Sequence, residues 1–249
     1  MHVDNYAEIF DQRGYSYDRA MRTRPDARRE EFAQVISRAC LRAGQTIADV
    51  PAGGGYLRDF LPSFCTVLEH EPSRGFAGHG RARSTDGQPS LLPLPWPKAS
   101  IDVVISLAGV HHIADKLPLF NAIFEVVKPG GRFVLSDVAA DSAVAAFLDG
   151  FVGAHNSTGH DGIFLHPDTL PEELGSVGWR VLSCEPVDFC WRFPSRESMG
   201  RFCRDLFDLQ GVSVPAVVDA IHTTLGFHEA PAGEIAMNWS LLTVTADRP

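Results

Sequence analysis

The chain has 249 residues, of which 45% are hydrophobic, and a formal net charge of −9 at pH 7. This length and composition suit one α/β domain with added segments and a core of ordinary size. The acidic balance argues against a nucleic-acid partner and an anionic membrane surface, because both are bound mainly through basic patches. No apolar run approaches the length of a membrane span.

The cysteines are odd in number and scattered, and none forms a Cys-x-x-Cys pair. Such a set is typical of reduced thiols rather than of a disulfide framework or a zinc site. The first residues are polar and do not resemble a signal peptide. These features predict a cytoplasmic protein.

The chain begins with a polar and aromatic leader over residues 1–30, followed by an amphipathic helix over 30–43. A first strand is expected over 46–50, and it runs into residues 49–55, Asp-Val-Pro-Ala-Gly-Gly-Gly, with a helix over 56–61. Glycines in such a turn adopt positive φ and let the backbone approach a ligand. A nucleotide-like cofactor binds at this position in open α/β sheets.

The glycine turn does not favour a phosphate-containing cofactor. Arg58 stands where the dinucleotide motif G-x-G-x-x-G requires its third glycine, and no phosphate-loop lysine follows. A second strand over 65–70 leads into Glu69 and Glu71. A carboxylate at this distance past the glycines is also the ribose ligand of dinucleotide-binding folds. This carboxylate alone therefore does not distinguish a dinucleotide from another nucleotide-like cofactor.

Further strands and helices alternate along the rest of the chain and predict a parallel sheet. A weak edge strand is expected within 81–90, and Pro and Gly in residues 128–131 indicate a helix-to-strand turn. The other strands are expected over 101–107, 132–138, 179–188 and 235–246, and the other helices over 120–127, 142–152, 168–177, 195–209 and 214–225.

The ordered motifs of residues 49–137 resemble those of the class I S-adenosylmethionine (SAM)-dependent methyltransferases. They include the acid and glycines of 49–55, Leu-Pro-Trp-Pro at 94–97, the histidine pair at 111–112 and Lys-Pro-Gly-Gly at 128–131. The resemblance implies a Rossmann-like, doubly wound sheet, mostly parallel with an antiparallel last strand, and helical inserts that cap the active site. It also implies SAM as the cofactor.

The same resemblance divides a single methyltransferase domain of residues 1–249 into parts. Residues 1–44 form an N-terminal cap and 45–138 the cofactor-binding core, whereas 139–175 and 189–233 are inserts on the acceptor side. Ligands of open α/β sheets bind at the carboxyl ends of the strands. We therefore expect the inserts to determine which acceptor binds.

The resemblance also implies the residues that bind the cofactor. Glu71 matches the ribose ligand, with Glu69 as the alternative, and Ser90 stands where the family carries an adenine-side acid. Pro51 replaces a usual glycine and removes one backbone donor. The full predicted set is Asp49, Pro51, Ala52, Gly53, Gly55, Glu71, Pro72, Ser90, Leu91, Leu107 and Ala108.

The predicted catalytic residues are His112, His111 and Tyr17. The two histidines follow the strand where, in the family, methyl group and acceptor meet, and histidine is the usual base near neutral pH. Adjacent side chains on extended backbone point apart, so we expect one of the two to face the pocket. The alternative is a pair that only packs. Tyr17 belongs to the leader that shapes the acceptor pocket, or else packs on the core.

A further group of histidines lies in a glycine-containing loop, at His155, His160 and His166. Their spacing fits no familiar zinc pattern, so no metal is predicted. We expect these side chains to be exposed to solvent, with contact to substrate as the second interpretation.

The predicted function is methyl transfer from SAM to a small-molecule acceptor, with oxygen or nitrogen favoured over carbon. The Pro-Pro-aromatic motif of DNA- and protein-methylating enzymes is replaced by residues 106–109, Ser-Leu-Ala-Gly. Two alternatives stay open: a non-catalytic relative that keeps the fold, and a less favoured NAD-dependent oxidoreductase. A homodimer is also left open.

Overall fold

The computed structural model describes residues 6–73, 75–76, 90–160 and 162–249. Most of the edge strand expected within 81–90 lies outside these residues. The strands are β1 (Thr46–Asp49), β2 (Thr66–Glu69), β3 (Ile101–Leu107), β4 (Val127–Asp137), β5 (Arg180–Phe193), β6 (Phe227–Glu229) and β7 (Ile235–Asp247). The helices are α1 (Tyr6–Thr23), α2 (Arg29–Ala39), α3 (Leu117–Val126), α4 (Ala143–Phe147), α5 (Leu170–Val177), α6 (Arg196–Leu206) and α7 (Val214–Thr224). Short turns of 3-10 helix follow the glycines (Tyr56–Phe60) and β3 (Val110–His112), and a π-turn (Leu148–Val152) continues α4.

The strands form one sheet in the order β2-β1-β3-β4-β7-β5, with β6 added to β7. The pairs among β1, β2, β3 and β4 are parallel, and β7 is antiparallel to β4, β5 and β6. The predicted mostly parallel sheet with an antiparallel last strand is therefore confirmed.

Helices cover both faces of the sheet, as in doubly wound folds. On one face, α1, α2, α4, α6 and α7 contribute to a core that includes Trp191 of β5 and Trp239 of β7. On the other, α3 and α5 pack with Trp179. Because α1 packs on α6, the N-terminal segment lies on the same side of the sheet as the late helices.

Several elements differ from the sequence expectations for local reasons. Strand β5 runs to Phe193 instead of ending near 188, because it pairs with β7 along its length. Helix α2 ends at Ala39, where Cys40 takes a left-handed conformation with φ of 50°. The predicted turn at 128–131 is a bulge inside β4, since pairing jumps from Ile101–Val127 to Val103–Arg132.

Candidate active site

The glycine turn after β1 has the conformation that its sequence predicts. Gly53 and Gly55 have φ values of 54° and 74°, which a residue with a side chain adopts only with strain. The Gly55 N–H donates to Ala52 O at 2.9 Å. A Cβ at Gly54 would lie 2.2 Å from Cζ of Tyr56, so the glycine makes room for that ring.

Two acids after β2 have different partners. Glu71 is buried and accepts the Gly53 N–H at Oε2 (2.7 Å) and the Ser73 N–H at Oε1 (2.8 Å). Glu69 instead accepts Arg58 Nε at 2.9 Å. The residue that replaces the third glycine of the dinucleotide motif thus neutralises Glu69, whereas Glu71 is bonded directly to the glycine turn.

Asp49, at the end of β1, is a buried acid near the other two. Burial, followed by the charges of Glu69 and Glu71, raises the pKa of the Asp49 carboxyl well above its ordinary value. A cationic ligand beside this carboxyl would favour its ionised form.

These residues border a first pocket of about 500 Å³. It is lined by Tyr17, Arg28, Phe32, Asp49, Pro51, Ala52, Gly53, Tyr56, Leu57, Phe76, Leu107, Ala108 and Gly109. Six of the predicted cofactor residues are therefore brought together there, and five are not in the lining: Gly55, Glu71, Pro72, Ser90 and Leu91. Glu71 reaches the lining through its bond to Gly53.

The two residues predicted on the adenine side bond elsewhere. The Ser90 hydroxyl accepts the Leu92 N–H at 3.4 Å, and Leu91 O lies 3.0 Å from Nε2 of His70. The aromatic part of the lining, Phe32, Tyr56 and Phe76, was not predicted, because it comes from three segments that only the fold brings together.

A second pocket, of about 610 Å³, adjoins the first. It shares Tyr17, Arg28 and Ala108 with the first pocket, so the two spaces meet at these residues. The rest of its lining is Arg13, Glu31, His111, His112, Val138, Leu148, Val152, His160, Trp191, Leu206, Phe207, Trp239 and Leu241.

A buried ion pair holds the junction of the two pockets. Arg28 donates to Glu31 through Nε (2.7 Å) and Nη2 (2.6 Å), and its Nη1 donates to the Tyr17 hydroxyl. Trp191 Nε1 also donates to Glu31 at 2.8 Å. Burial raises the pKa of the Tyr17 hydroxyl, which therefore stays protonated at neutral pH. Tyr17 lines both pockets at their junction, and its predicted catalytic role stays a prediction.

His111 is oriented by a buried carboxylate. Its Nδ1 lies 2.6 Å from Oδ1 of Asp137, and Asp137 also accepts the N–H groups of Val110 (2.7 Å) and Val138 (2.7 Å). Burial alone would raise the pKa of the Asp137 carboxyl, but its interaction with His111 and these backbone hydrogen bonds outweigh burial and lower the pKa. A carboxylate at Nδ1 leaves Nε2 as the basic atom of the ring.

The contact between Asp137 and His111 was not predicted from the sequence. Asp137 was predicted only as the end of a strand. The available signal was that β3 and β4 are neighbours, so the residues that follow β3 lie beside the last residue of β4.

His112 and His160 complete a histidine cluster with His111. The centroid of the His111 ring lies 4.0 Å from that of His112 and 5.6 Å from that of His160. Burial is the main cause that lowers the pKa of His160 to about 4 and the pKa of His112 well below its ordinary value. Both are therefore neutral at pH 7.

The expectation of exposed loop histidines is wrong for His160. Its side chain is 4% exposed, and Nδ1 lies 2.9 Å from Oδ1 of Asp149. The loop folds back over the end of the sheet, where Ile163 N–H donates to His111 O. His166, in contrast, is exposed as expected.

The three histidines form a candidate metal cluster, but the charges around them disfavour a cation. One ring nitrogen from each lies within 4.8 Å of the others. Tetrahedral zinc with nitrogen ligands places them about 3.4 Å apart. Arg13 and Lys116 also lower the pKa of His112, which means that the local field opposes a cation. The absence of a metal stays a prediction.

Comparisons with known proteins agree with this geometry. A model of the methyltransferase domain matches residues 48–135. A probable SAM-dependent methyltransferase of Mycolicibacterium smegmatis is 29% identical over 113 residues, covering 44% of this chain and 43% of that protein. The 27-O-demethylrifamycin SV methyltransferase of Amycolatopsis mediterranei is 26% identical over 155 residues, covering 54% of this chain and 56% of that protein. The chain thus spans about half the length of these curated relatives.

Solved structures share the fold. The geranyl diphosphate C-methyltransferase of Streptomyces coelicolor A3(2), bound to Mg²⁺, geranyl diphosphate and S-adenosyl-L-homocysteine, superimposes with a TM-score of 0.54 at 14% identity. That match covers 89% of this chain and 80% of the other.

The fold, the glycine turn and these matches define a SAM-binding protein of the Rossmann-like type. Residues 48–135 match the methyltransferase domain, the chain has the Rossmann-like fold of SAM-dependent methyltransferases, and SAM is the cofactor that these matches support, as the sequence predicted. Within the described residues, no helix is both long enough and apolar enough to cross a membrane.

Proposed function

We propose that the protein transfers a methyl group from SAM to an oxygen or nitrogen atom of a small molecule. The observation that carries this proposal is that the two pockets meet at Tyr17, Arg28 and Ala108, with the His111–Asp137 pair in the second pocket. SAM occupies the first pocket and the acceptor the second. The methyl group crosses where the two are continuous.

The first pocket suits a cofactor that is positively charged and lacks phosphates. Asp49 offers a carboxyl to the cationic methionine part, and the carboxylate of Glu71, the proposed ribose ligand, is held against the glycine turn by its bonds to Gly53 and Ser73. Among the described residues of the lining, the one arginine, Arg28, is paired with Glu31 and is not free for a pyrophosphate.

The second pocket supplies a base for the acceptor. In an in-line displacement the acceptor atom forms a bond to the methyl carbon while the carbon–sulfur bond breaks and its electron pair stays on sulfur. The acceptor proton passes to Nε2 of His111, and Asp137 stabilises the resulting imidazolium. Burial lowers the pKa of His112 well below its ordinary value, which makes it a poor base. His111, held at Nδ1 by Asp137, is therefore the residue proposed to take the proton, and His112 shapes the site.

The segments outside the core support the proposal that they choose the acceptor. The second pocket takes Arg13 from α1, Leu148 and Val152 from the π-turn, and Leu206 from α6. These positions belong to the predicted N-terminal cap and the two predicted inserts. A relative is named for O-methylation of a rifamycin precursor, which supports a small organic acceptor. All five cysteines are unpaired, in keeping with the proposed cytoplasmic location.

Two measurements test the proposal. Calorimetric titration with S-adenosylhomocysteine and with NADH is expected to give binding of the first and none of the second. Incubation with methyl-labelled SAM and a small-molecule extract is expected to label a metabolite. Absence of heat with millimolar S-adenosylhomocysteine, or tight binding of NADH, would contradict the proposal. Binding of S-adenosylhomocysteine without labelling of any metabolite, in extracts from several organisms, would favour a non-catalytic relative.

A further inference from the structure

The second pocket has an aromatic wall made by three parallel rings. Trp191 and Trp239 stack with centroids 4.3 Å apart and planes inclined by 20°. Phe207 is inclined by only 18° to Trp191 and 17° to Trp239. Aliphatic side chains of the pocket lining, among them Leu206 and Leu241, complete this part of the pocket. Such a wall suits a flat apolar molecule, because planar rings gain most by offset stacking.

Arg13 lines the same pocket and is 6% exposed. Its Nη2 donates to three oxygens that are all uncharged: Asn156 Oδ1 (2.6 Å), Gly159 O (2.5 Å) and the Thr158 hydroxyl. Its Nε is buried and has no hydrogen-bond partner. A buried polar atom without a partner is rare and costly, and it points to a ligand that would satisfy it.

The charge of Arg13 is not neutralised by a contact. Among the residues that the structure describes, no carboxylate forms an ion pair with it, whereas Arg28 in the same pocket is paired with Glu31 at 2.6 Å. Burial lowers the pKa of Arg13 to about 10, against a smaller opposing effect of Asp208, so the guanidinium remains charged at neutral pH. His112 and His160 are neutral there and add no further positive charge to the pocket.

The surroundings hold Arg13 in this state. Asn156 cannot turn its amide, because its Nδ2 donates to Phe207 O at 2.6 Å while its Oδ1 also accepts the Thr158 N–H at 2.8 Å. These neutral oxygens therefore hold the guanidinium in place without neutralising its charge. A guanidinium recognises a carboxylate through charge-assisted hydrogen bonds, which are about twice as strong as neutral ones.

We propose that the acceptor is a flat aromatic molecule bearing a carboxylate, which Arg13 binds while the rings pack on Trp191 and Trp239. This inference rests on the proposed function and specifies its substrate class. Arg13 lines only the second pocket, so the anion it holds belongs to the acceptor and not to the cofactor. The methylated atom is the one that faces His111 and the shared residues of the two pockets.

Calorimetry with a matched pair of probes tests this inference. The protein, saturated with S-adenosylhomocysteine, is titrated with 2-naphthoate and with 2-naphthamide, which have the same shape but differ in charge. We expect naphthoate to bind at least about tenfold more tightly, as a charge-assisted hydrogen bond allows. Arg13→Met is expected to remove this preference and leave naphthamide binding unchanged. Arg19→Met, on the exposed side of the same helix, serves as the control and should keep the preference.

A second variant keeps the inference testable if Arg13→Met does not fold. Asn156→Asp places a carboxylate beside Arg13 that neutralises the charge of the guanidinium. The preference for naphthoate should therefore fall although the arginine remains. Equal binding of both probes to the natural protein, or a preference that survives both variants, would overturn the inference. Failure of S-adenosylhomocysteine to bind would instead count against the proposed function, and the two probes are then compared on the protein alone.

Discussion

The two adjoining pockets differ in charge and in what lines them. The first has an acidic end and is lined partly by backbone: Asp49 lies in it, Glu71 is bonded to its glycine turn, and its arginine is already paired. The second has a buried cation, Arg13, without an ionic partner among the described residues, and two histidines, His112 and His160, that are held neutral. A cationic cofactor and a neutral or anionic acceptor would each be favoured by only one of the two. The charges of the pockets alone would therefore favour the cationic cofactor in the first pocket and a neutral or anionic acceptor in the second.

The largest expected effect comes from the base. His111→Gln should lower the rate of methyl transfer by about 10²–10⁴-fold, because general-base catalysis contributes that much. The affinity for S-adenosylhomocysteine should stay within about twofold, since His111 lines only the second pocket. Labelled methyl transfer and calorimetry measure the two quantities.

The control for this prediction is His222→Gln, on helix α7 and outside both pockets. It should change neither quantity. A His111→Gln enzyme with unchanged rate would remove His111 from the proton transfer and break the functional distinction between the pockets.

The next effect concerns the first pocket. Glu71→Gln should weaken S-adenosylhomocysteine about 10–100-fold, because a charge-assisted hydrogen bond to the ribose and the support of the glycine turn are both lost. Glu69→Gln is the matched comparison. Its carboxylate is already bonded to Arg58, so we expect a much smaller loss. Equal losses for the two variants would contradict the assignment of Glu71 as the ribose ligand.

Asp49 should show a trade between stability and binding. Its folded-state pKa is raised, so the apo protein loses stability as the pH rises from 3.8, the ordinary value, through the raised folded value. Asp49→Asn does not titrate. It should therefore be more stable than the natural apo protein at pH 8, with a melting temperature about 2–4 °C higher for each kcal/mol gained.

The advantage of Asp49→Asn should shrink as the pH is lowered toward 3.8, because the natural carboxyl is then neutral as well. The same variant should bind SAM about tenfold more weakly, since a charge opposite the cationic cofactor is lost. Thermal unfolding at pH 5 and pH 8 and calorimetry at pH 8 test both statements. A variant less stable than the natural protein at pH 8 would show that the ionised carboxyl is not a burden in the apo state.

The two pockets also differ in how far the sequence predicts them. Part of the first is built from the segments that directly follow β1 and β3, so Asp49, Gly53 and Ala108 could be placed from their order along the chain. The second needs residues from distant segments: Arg13 meets Asn156 across 143 positions, and Trp191 stacks on Trp239 only because β5 and β7 pair in a particular register. The burial of His160 depends on how a loop folds, which no periodicity encodes. The mostly parallel sheet was predictable because strands and helices alternate along the chain, and its antiparallel last strand followed from the family resemblance.

The smallest expected effect tests how tightly the first pocket is shaped. A Cβ at position 54 would lie 2.2 Å from Cζ of Tyr56, whose ring stacks on Tyr17 and whose hydroxyl donates to Asp18 at 3.0 Å. Gly54→Ala must therefore displace a ring that lines the pocket, and we expect an affinity loss for S-adenosylhomocysteine of about fivefold, equivalent to about 1 kcal/mol of overpacking. Gly175→Ala, in helix α5 with nothing near the added carbon, should leave the affinity unchanged. Unchanged affinity in Gly54→Ala would mean that the ring can move without cost, and that the glycine turn alone, rather than the aromatic side chain packed on it, holds the cofactor.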